Sequence, residues 1–136
     1  MKIKDIIRES MEAKKVFPDM LEKFVPIVMD VLKLEKFPKI KFIAHNIEDD
    51  YPTFGQYANE SEIITLDIKN RHPLDILRTL AHELAHYKQD VEDRIGPHSG
   101  VTGSSEENEA HAMAGIIMRN FNQAHPEYFK SQPMML

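Results

Sequence analysis

The sequence predicts an α+β domain: N-terminal helices, a small, mainly antiparallel sheet, and then two long helices. Three observations carry this reading. Apolar residues recur at helical spacing up to Leu32, the pattern changes to period two between Phe37 and Ile68, and helical spacing returns from Pro73 onward. The chain has 136 residues, 42% hydrophobic and 29% charged, enough for one domain over 1–136 with a closed core.

Ile3, Ile6, Ile7 and Met11 share one face of a short amphipathic helix. It should end before Phe17-Pro18, because a residue preceding proline is driven out of the helical region. A second helix is expected from Pro18, burying Leu21, Phe24, Val25, Val28, Val31 and Leu32, with Pro26 kinking it or marking its true start. Ile40, Phe42 and Ala44 then alternate with Lys39, Lys41 and Ile43, as in a strand. Phe54 to Tyr57 and Glu62 to Ile68 read as two more strands, joined as a hairpin across Ala58-Asn59-Glu60-Ser61.

Pro73 suits the first turn of a long helix running to about Asp93, with Leu74, Leu77, Leu80, Ala81, Leu84 and Val91 facing the core. Ile95 to Ser105 is rich in Gly, Pro, Ser and Thr and reads as a loop. Ser104 or Ser105 can cap a last long helix that buries Ala110, Met113, Ala114, Ile117 and Phe121. From His125 a short helix and a loose end are expected.

Composition narrows the functional classes. Net charge is −5 and the 17 Lys and Arg are scattered along the chain, so no footprint for nucleic acid is visible. The N-terminus lacks the apolar core of a secretory signal, and no apolar run approaches the ~18 residues of a membrane span. A cytoplasmic protein without membrane contacts is expected. With no cysteine and seven histidines, any bound transition metal must be held by imidazole and carboxylate.

One segment carries chemistry: His82-Glu83-Leu84-Ala85-His86, in the middle of the Pro73 helix. Residues four apart stand one turn above each other, so His82 and His86 can offer two nitrogens to one ion. Glu83 is rotated by about 100° from His82, beside the ion rather than on it, where a general base belongs. Asp75, Thr79 and Gln89 share the histidine face, and Ala81 and Ala85 leave room for a neighbouring element to approach. A catalytic zinc usually takes three protein ligands and keeps one position for water. The acidic candidates for the third are Glu106, Glu107 and Glu109, at the head of the last long helix, and His98 and His111 are also available. Glu107 has a plainer use as well, since Ser104-Ser105-Glu106-Glu107 fits a capping box. His45, His72 and His125 read as surface or cap residues.

The two segments His82 to His86 and Glu107-Asn108-Glu109-Ala110-His111-Ala112-Met113-Ala114 together resemble the gluzincin pattern. The small IrrE/ImmA-like metallopeptidases, with H-E-x-x-H followed by E-x-E-A-x-x-x-A, are the most similar kind. The resemblance spans roughly Ile63 to Phe121. The metzincin extension is absent, because Gln89 and Glu92 stand where glycine and histidine are required. The resemblance implies a zincin-like fold and a zinc-dependent metallopeptidase acting on a peptide or protein, with Glu83 as general base. It implies a sheet whose edge strand, over Glu62 to Ile68, holds an extended substrate. It also implies a glutamate on the second helix as third ligand beside His82 and His86: Glu107 by the E-x-x-A spacing, with Glu109 the alternative. His111 departs from the pattern by occupying the place of a carboxylate that would orient a ligating histidine. Together with His98 it leaves an SprT-like, three-histidine site open. The rival expectation is a regulatory or binding module that retains the fold with little or no hydrolysis.

Overall fold

The computed structural model of the protein describes residues 3–44, 54–96, 103–131 and 133–134, with side chains from Phe17 onward. The elements run α1 (Ile3–Leu32), β1 (Lys39–Ile43), β2 (Gly55–Ala58), β3 (Ile63–Asp67), α2 (Pro73–Val91) and α3 (Ser105–Ala124), followed by a 3-10 turn at Pro126–Lys130. The class is α+β, as the periodicities predict. Among the described residues no helix is long and apolar enough to cross a membrane. His45, His98 and much of the loop from Ile95 lie outside the described residues.

The two expected N-terminal helices are one. Pro18 and Pro26 both lie inside α1. An interior proline removes a hydrogen bond and costs about 3 kcal/mol, so something must hold the helix through both. That is a continuous apolar stripe: Phe17, Met20, Phe24, Val28 and Leu32 are all buried. Burying each large side chain contributes roughly 1.5–3 kcal/mol, and five together outweigh two prolines. α1 ends where Lys33 takes a positive φ of 55° and the Leu34 N–H donates to the Met29 carbonyl at 3.1 Å. α2 ends in the same way, with Asp93 at φ 59° and the Arg94 N–H donating to the Gln89 carbonyl at 2.8 Å.

The sheet has the order β1-β3-β2 and is mixed rather than mainly antiparallel. β2 and β3 form the expected hairpin, pairing Gly55 with Leu66 and Tyr57 with Ile64, but β1 pairs parallel to β3, Ile40 opposite Ile64 and Phe42 opposite Leu66. β3 is therefore the central strand and not an edge. Its alternation fits this place, since Ile64 and Leu66 are wholly buried. The open edge beside α2 belongs to β2.

α2 and α3 pack on each other and on α1, and α2 also covers β2 and β3. Ile76, Leu77, Leu80 and Leu84 meet Ala110, Ala114, Ile117 and Phe121 in one core, and an edge-to-face contact of Phe24 with Phe121 at 5.8 Å ties in α1. Val91, expected in the core, is exposed, because the last turn of α2 turns Gln89 rather than Val91 toward α3. The tail is docked rather than loose. Tyr128 stacks on Phe121 and donates to Asp19, while Met134 is buried and exchanges backbone hydrogen bonds with Asn70 and Arg71.

Candidate metal centre

The histidines of α2 are set by its first turn. His72 is the N-cap, its Nδ1 accepting from the Leu74 N–H at 3.1 Å, and Pro73 follows in the first helical position. Two and a half turns later His82 and His86 emerge on one face, ring centroids 5.0 Å apart. α3 is capped by Ser104, whose hydroxyl accepts from the Glu107 N–H at 3.1 Å. This places Glu107 in the first turn of α3. The fully or almost fully buried Ala81, Ala85, Ala110 and Ala114 carry little bulk, so the two helices can close on each other.

The Glu107 carboxylate reaches across this seam and touches both histidines. Oε1 meets His82 Nε2, and Oε2 lies 3.5 Å from His86 Nε2. His111, one turn further along α3, brings its Nε2 to 3.6 Å from Glu107 Oε1. The three donors that lie within 4.8 Å of one another are those of His82, Glu107 and His111, a group that could hold a metal ion. His86 joins through the other oxygen of Glu107. Burial favours the uncharged ring of His82 and lowers its pKa, against the pull of the Glu107 charge.

Glu83 lies beside this group and is buried. Burial, reinforced by the Glu107 charge, pushes its pKa up to about 7, although nearby His86 and a hydrogen bond from the Tyr57 backbone pull it down. The Tyr57 bond follows from strand geometry. The Asp67 N–H donates to the Phe54 carbonyl at 2.9 Å, which makes 54 and 67 a hydrogen-bonded pair. By antiparallel alternation the N–H groups of Gly55 and Tyr57 then point away from β3, toward α2. Gly55 permits the approach, since a Cβ there would lie 2.5 Å from Thr79 Cγ2 and 3.6 Å from Glu83 Cγ.

Two residues support the site: Arg71, which sequence reasoning missed, and Gln89, which it placed on the histidine face of the helix without a role. Arg71, 7% exposed, donates to the carbonyls of Phe54 and Asp67 at 3.2 and 2.7 Å, to the Asp75 carboxylate at 2.8 and 3.0 Å, and to Thr79 Oγ1 at 2.6 Å. It thereby fastens the start of β2 and the end of β3 to α2, and its guanidinium lies 4.6 Å from the centre of the Phe54 ring. Gln89 is wholly buried between α2 and α3, bonded to His86 and Glu109. Nothing local marks Arg71, which binds backbone oxygens from other elements. Helix spacing puts Gln89 on the histidine face, but its partners Glu106 and Glu109 lie on α3 and appear only once the helices pack.

A cavity of about 270 Å³ opens beside His82 and His111, lined further by Phe54, Arg78, Thr79 and Ala114. The other acidic candidates are employed elsewhere: Glu109 pairs with Arg94 at 2.8 Å, and the Glu106 carboxylate accepts from the Ser105 hydroxyl at 3.1 Å. Comparisons of the chain with protein-family models, curated proteins and solved structures found no match.

Proposed function

We propose that the protein is a cytoplasmic, zinc-dependent metallopeptidase of gluzincin-like design. His82, His86 and Glu107 are its metal ligands and Glu83 its general base. The observation that supports this best is the Glu107 carboxylate, which contacts both histidines of the H-E-x-x-H segment from a second helix while Glu83 lies buried alongside. Two imidazoles and a carboxylate, with no thiolate in the chain, suit zinc with an open position. Zinc bound there would polarise a substrate carbonyl and acidify a water molecule.

The remaining work falls to the protein's own groups. With a pKa near 7, Glu83 can take a proton from water at neutral pH and return it to the departing amine. The Tyr57 N–H aims the carboxylate, and Arg71 holds the strand that carries Tyr57. An extended peptide would lie along the β2 side of the site, next to the Tyr57 N–H that serves Glu83.

A second reading, a zincin-fold regulatory or binding module with little or no hydrolysis, draws support from His111. A fourth protein donor near Glu107 would close the site, and closed four-ligand sets characterise structural zinc.

Metal content separates these readings. Protein purified without added zinc should carry about one equivalent, retained by Glu83→Gln but lost from His82→Ala, His86→Ala and Glu107→Ala. Cleavage of an unfolded protein substrate should vanish in Glu83→Gln. Metal-free wild-type protein would sink the proposal. Full metal with cleavage only after His111→Ala would favour the second reading.

A further inference from the structure

Gln89 makes three hydrogen bonds with its side-chain amide while wholly excluded from water. Its Nε2 faces two acceptors, the Glu106 carbonyl at 2.9 Å and Glu109 Oε1 at 3.1 Å. Only the NH2 end of an amide can serve two acceptors, so the orientation of the group is fixed. Oε1 must then face His86 Nδ1, 2.8 Å away. An amide oxygen cannot donate, so the proton of that bond resides on Nδ1. Neutral His86 is thereby left with a bare Nε2 lone pair, directed at the Glu107 side of the seam.

The amide is itself anchored. Glu109 accepts from Gln89 with one oxygen and pairs through the other with Arg94 Nη2 at 2.8 Å. Both carboxylate oxygens of Glu109 are thus engaged, one by the amide and one by the guanidinium. The turn ending α2 delivers Arg94 to this position, since its N–H caps the carbonyl of Gln89. His86, Gln89, Glu109 and Arg94 form an unbroken relay from the seam to the surface.

We propose that Gln89 is a positioning residue that locks His86 in its Nδ1–H tautomer and so presents Nε2 as a metal ligand, with Glu109 and Arg94 holding Gln89 in place. The inference deepens the peptidase reading and rests on it for the identity of the ligand atom. It gives the two glutamates of Glu107-Asn108-Glu109 separate tasks, one toward the ion and one toward the residue that orients a ligand. A neutral amide also adds no charge beside the site, unlike the carboxylate that often fills this role.

The test begins with the metal-free protein. Long-range proton–nitrogen NMR should find His86 protonated on Nδ1 at a pH where its ring is neutral. Gln89→Met, similar in length but with only a weakly accepting sulfur and no donor to fix its orientation, should abolish the fixed tautomer. It should also weaken zinc binding by about 10- to 100-fold, as loss of an outer partner typically does. If Gln89→Met does not fold, Glu109→Leu removes one of the two anchors and should produce both changes in smaller measure. A wild-type His86 protonated on Nε2 would overturn the inference, and so would unchanged tautomer and zinc affinity in the variants. A protein whose Gln89 only ties the helices together would lose stability without any tautomer shift. Failure of wild-type protein to bind zinc would remove the peptidase reading, while the tautomer would still decide the role of Gln89.

Discussion

Gly55 and Thr79 face each other with no space for a methyl group between them: a Cβ on Gly55 would stand 2.5 Å from Thr79 Cγ2. Gly55→Ala should therefore push β2 away from α2 and loosen the Tyr57 bond to Glu83, at a cost of about 1–3 kcal/mol from overpacking. Thr79→Ser keeps the hydroxyl bonded to Arg71 and removes the obstructing methyl. The double variant should regain most of the stability lost by Gly55→Ala, measured by urea unfolding, and additive losses would contradict the contact.

The buried carboxyl of Glu83 has a consequence for stability. Its folded pKa of about 7 exceeds the ordinary 4.5, so the native state holds more protons than the unfolded chain between these values. The resulting stabilisation is fully present below pH 4.5 and disappears as pH rises through about 7. In metal-free protein, Glu83→Gln removes this dependence and should be more stable than wild type at pH 8, by on the order of 2 kcal/mol. Unfolding curves at pH 4 and pH 8 test the sign, and a variant less stable than wild type at pH 8 would reject it.

Arg71 joins three elements through a planar fork. Lysine preserves its charge but cannot reach two backbone carbonyls and a carboxylate together, so Arg71→Lys should cost about 2–3 kcal/mol. Hydrogen exchange should show the loss concentrated in β2 and at the Met134 contact, because both are tied to this residue and its neighbour. Uniform loss across the fold would point to another cause.

Lys33 closes α1 with a left-handed backbone at φ 55°, a conformation that suits glycine. Its side chain is 78% exposed and, among the described residues, forms a weak 3.5 Å pair with Asp30. Lys33→Gly should raise stability by about 0.5–1 kcal/mol, visible as a higher midpoint in thermal unfolding. It should leave metal content unchanged.

Local patterns made much of this architecture legible. Helical spacing and Pro73 located α2, a cap at Ser104 or Ser105 located α3, and period-two alternation with a turn located the β2–β3 hairpin. Features that depend on one element meeting another were not legible. Nothing local in Lys39–Ile43 states that it pairs parallel to β3, and that pairing makes β3 central. The proline rule failed at Pro18 and Pro26 because burial of Phe17 to Leu32 outweighs it. In the candidate site, the placement of His82, Glu83 and His86 followed from helix geometry within one segment. The choice between Glu107 and Glu109 depends on how α3 is rolled against α2, a tertiary variable. Their separate hydrogen bonds distinguish them only after the helices have met.

The candidate ligands come from both sides of the α2–α3 seam, His82 and His86 from one helix and Glu107 from the other. An ion held by all three can bind fully only to the docked pair, so mass action makes its affinity a measure of docking. At free zinc one hundred times its dissociation constant, the folded state gains about 2.7 kcal/mol. The melting temperature should climb with the logarithm of zinc concentration above the dissociation constant and fall on chelation, so that the metal acts as a clasp on the two helices.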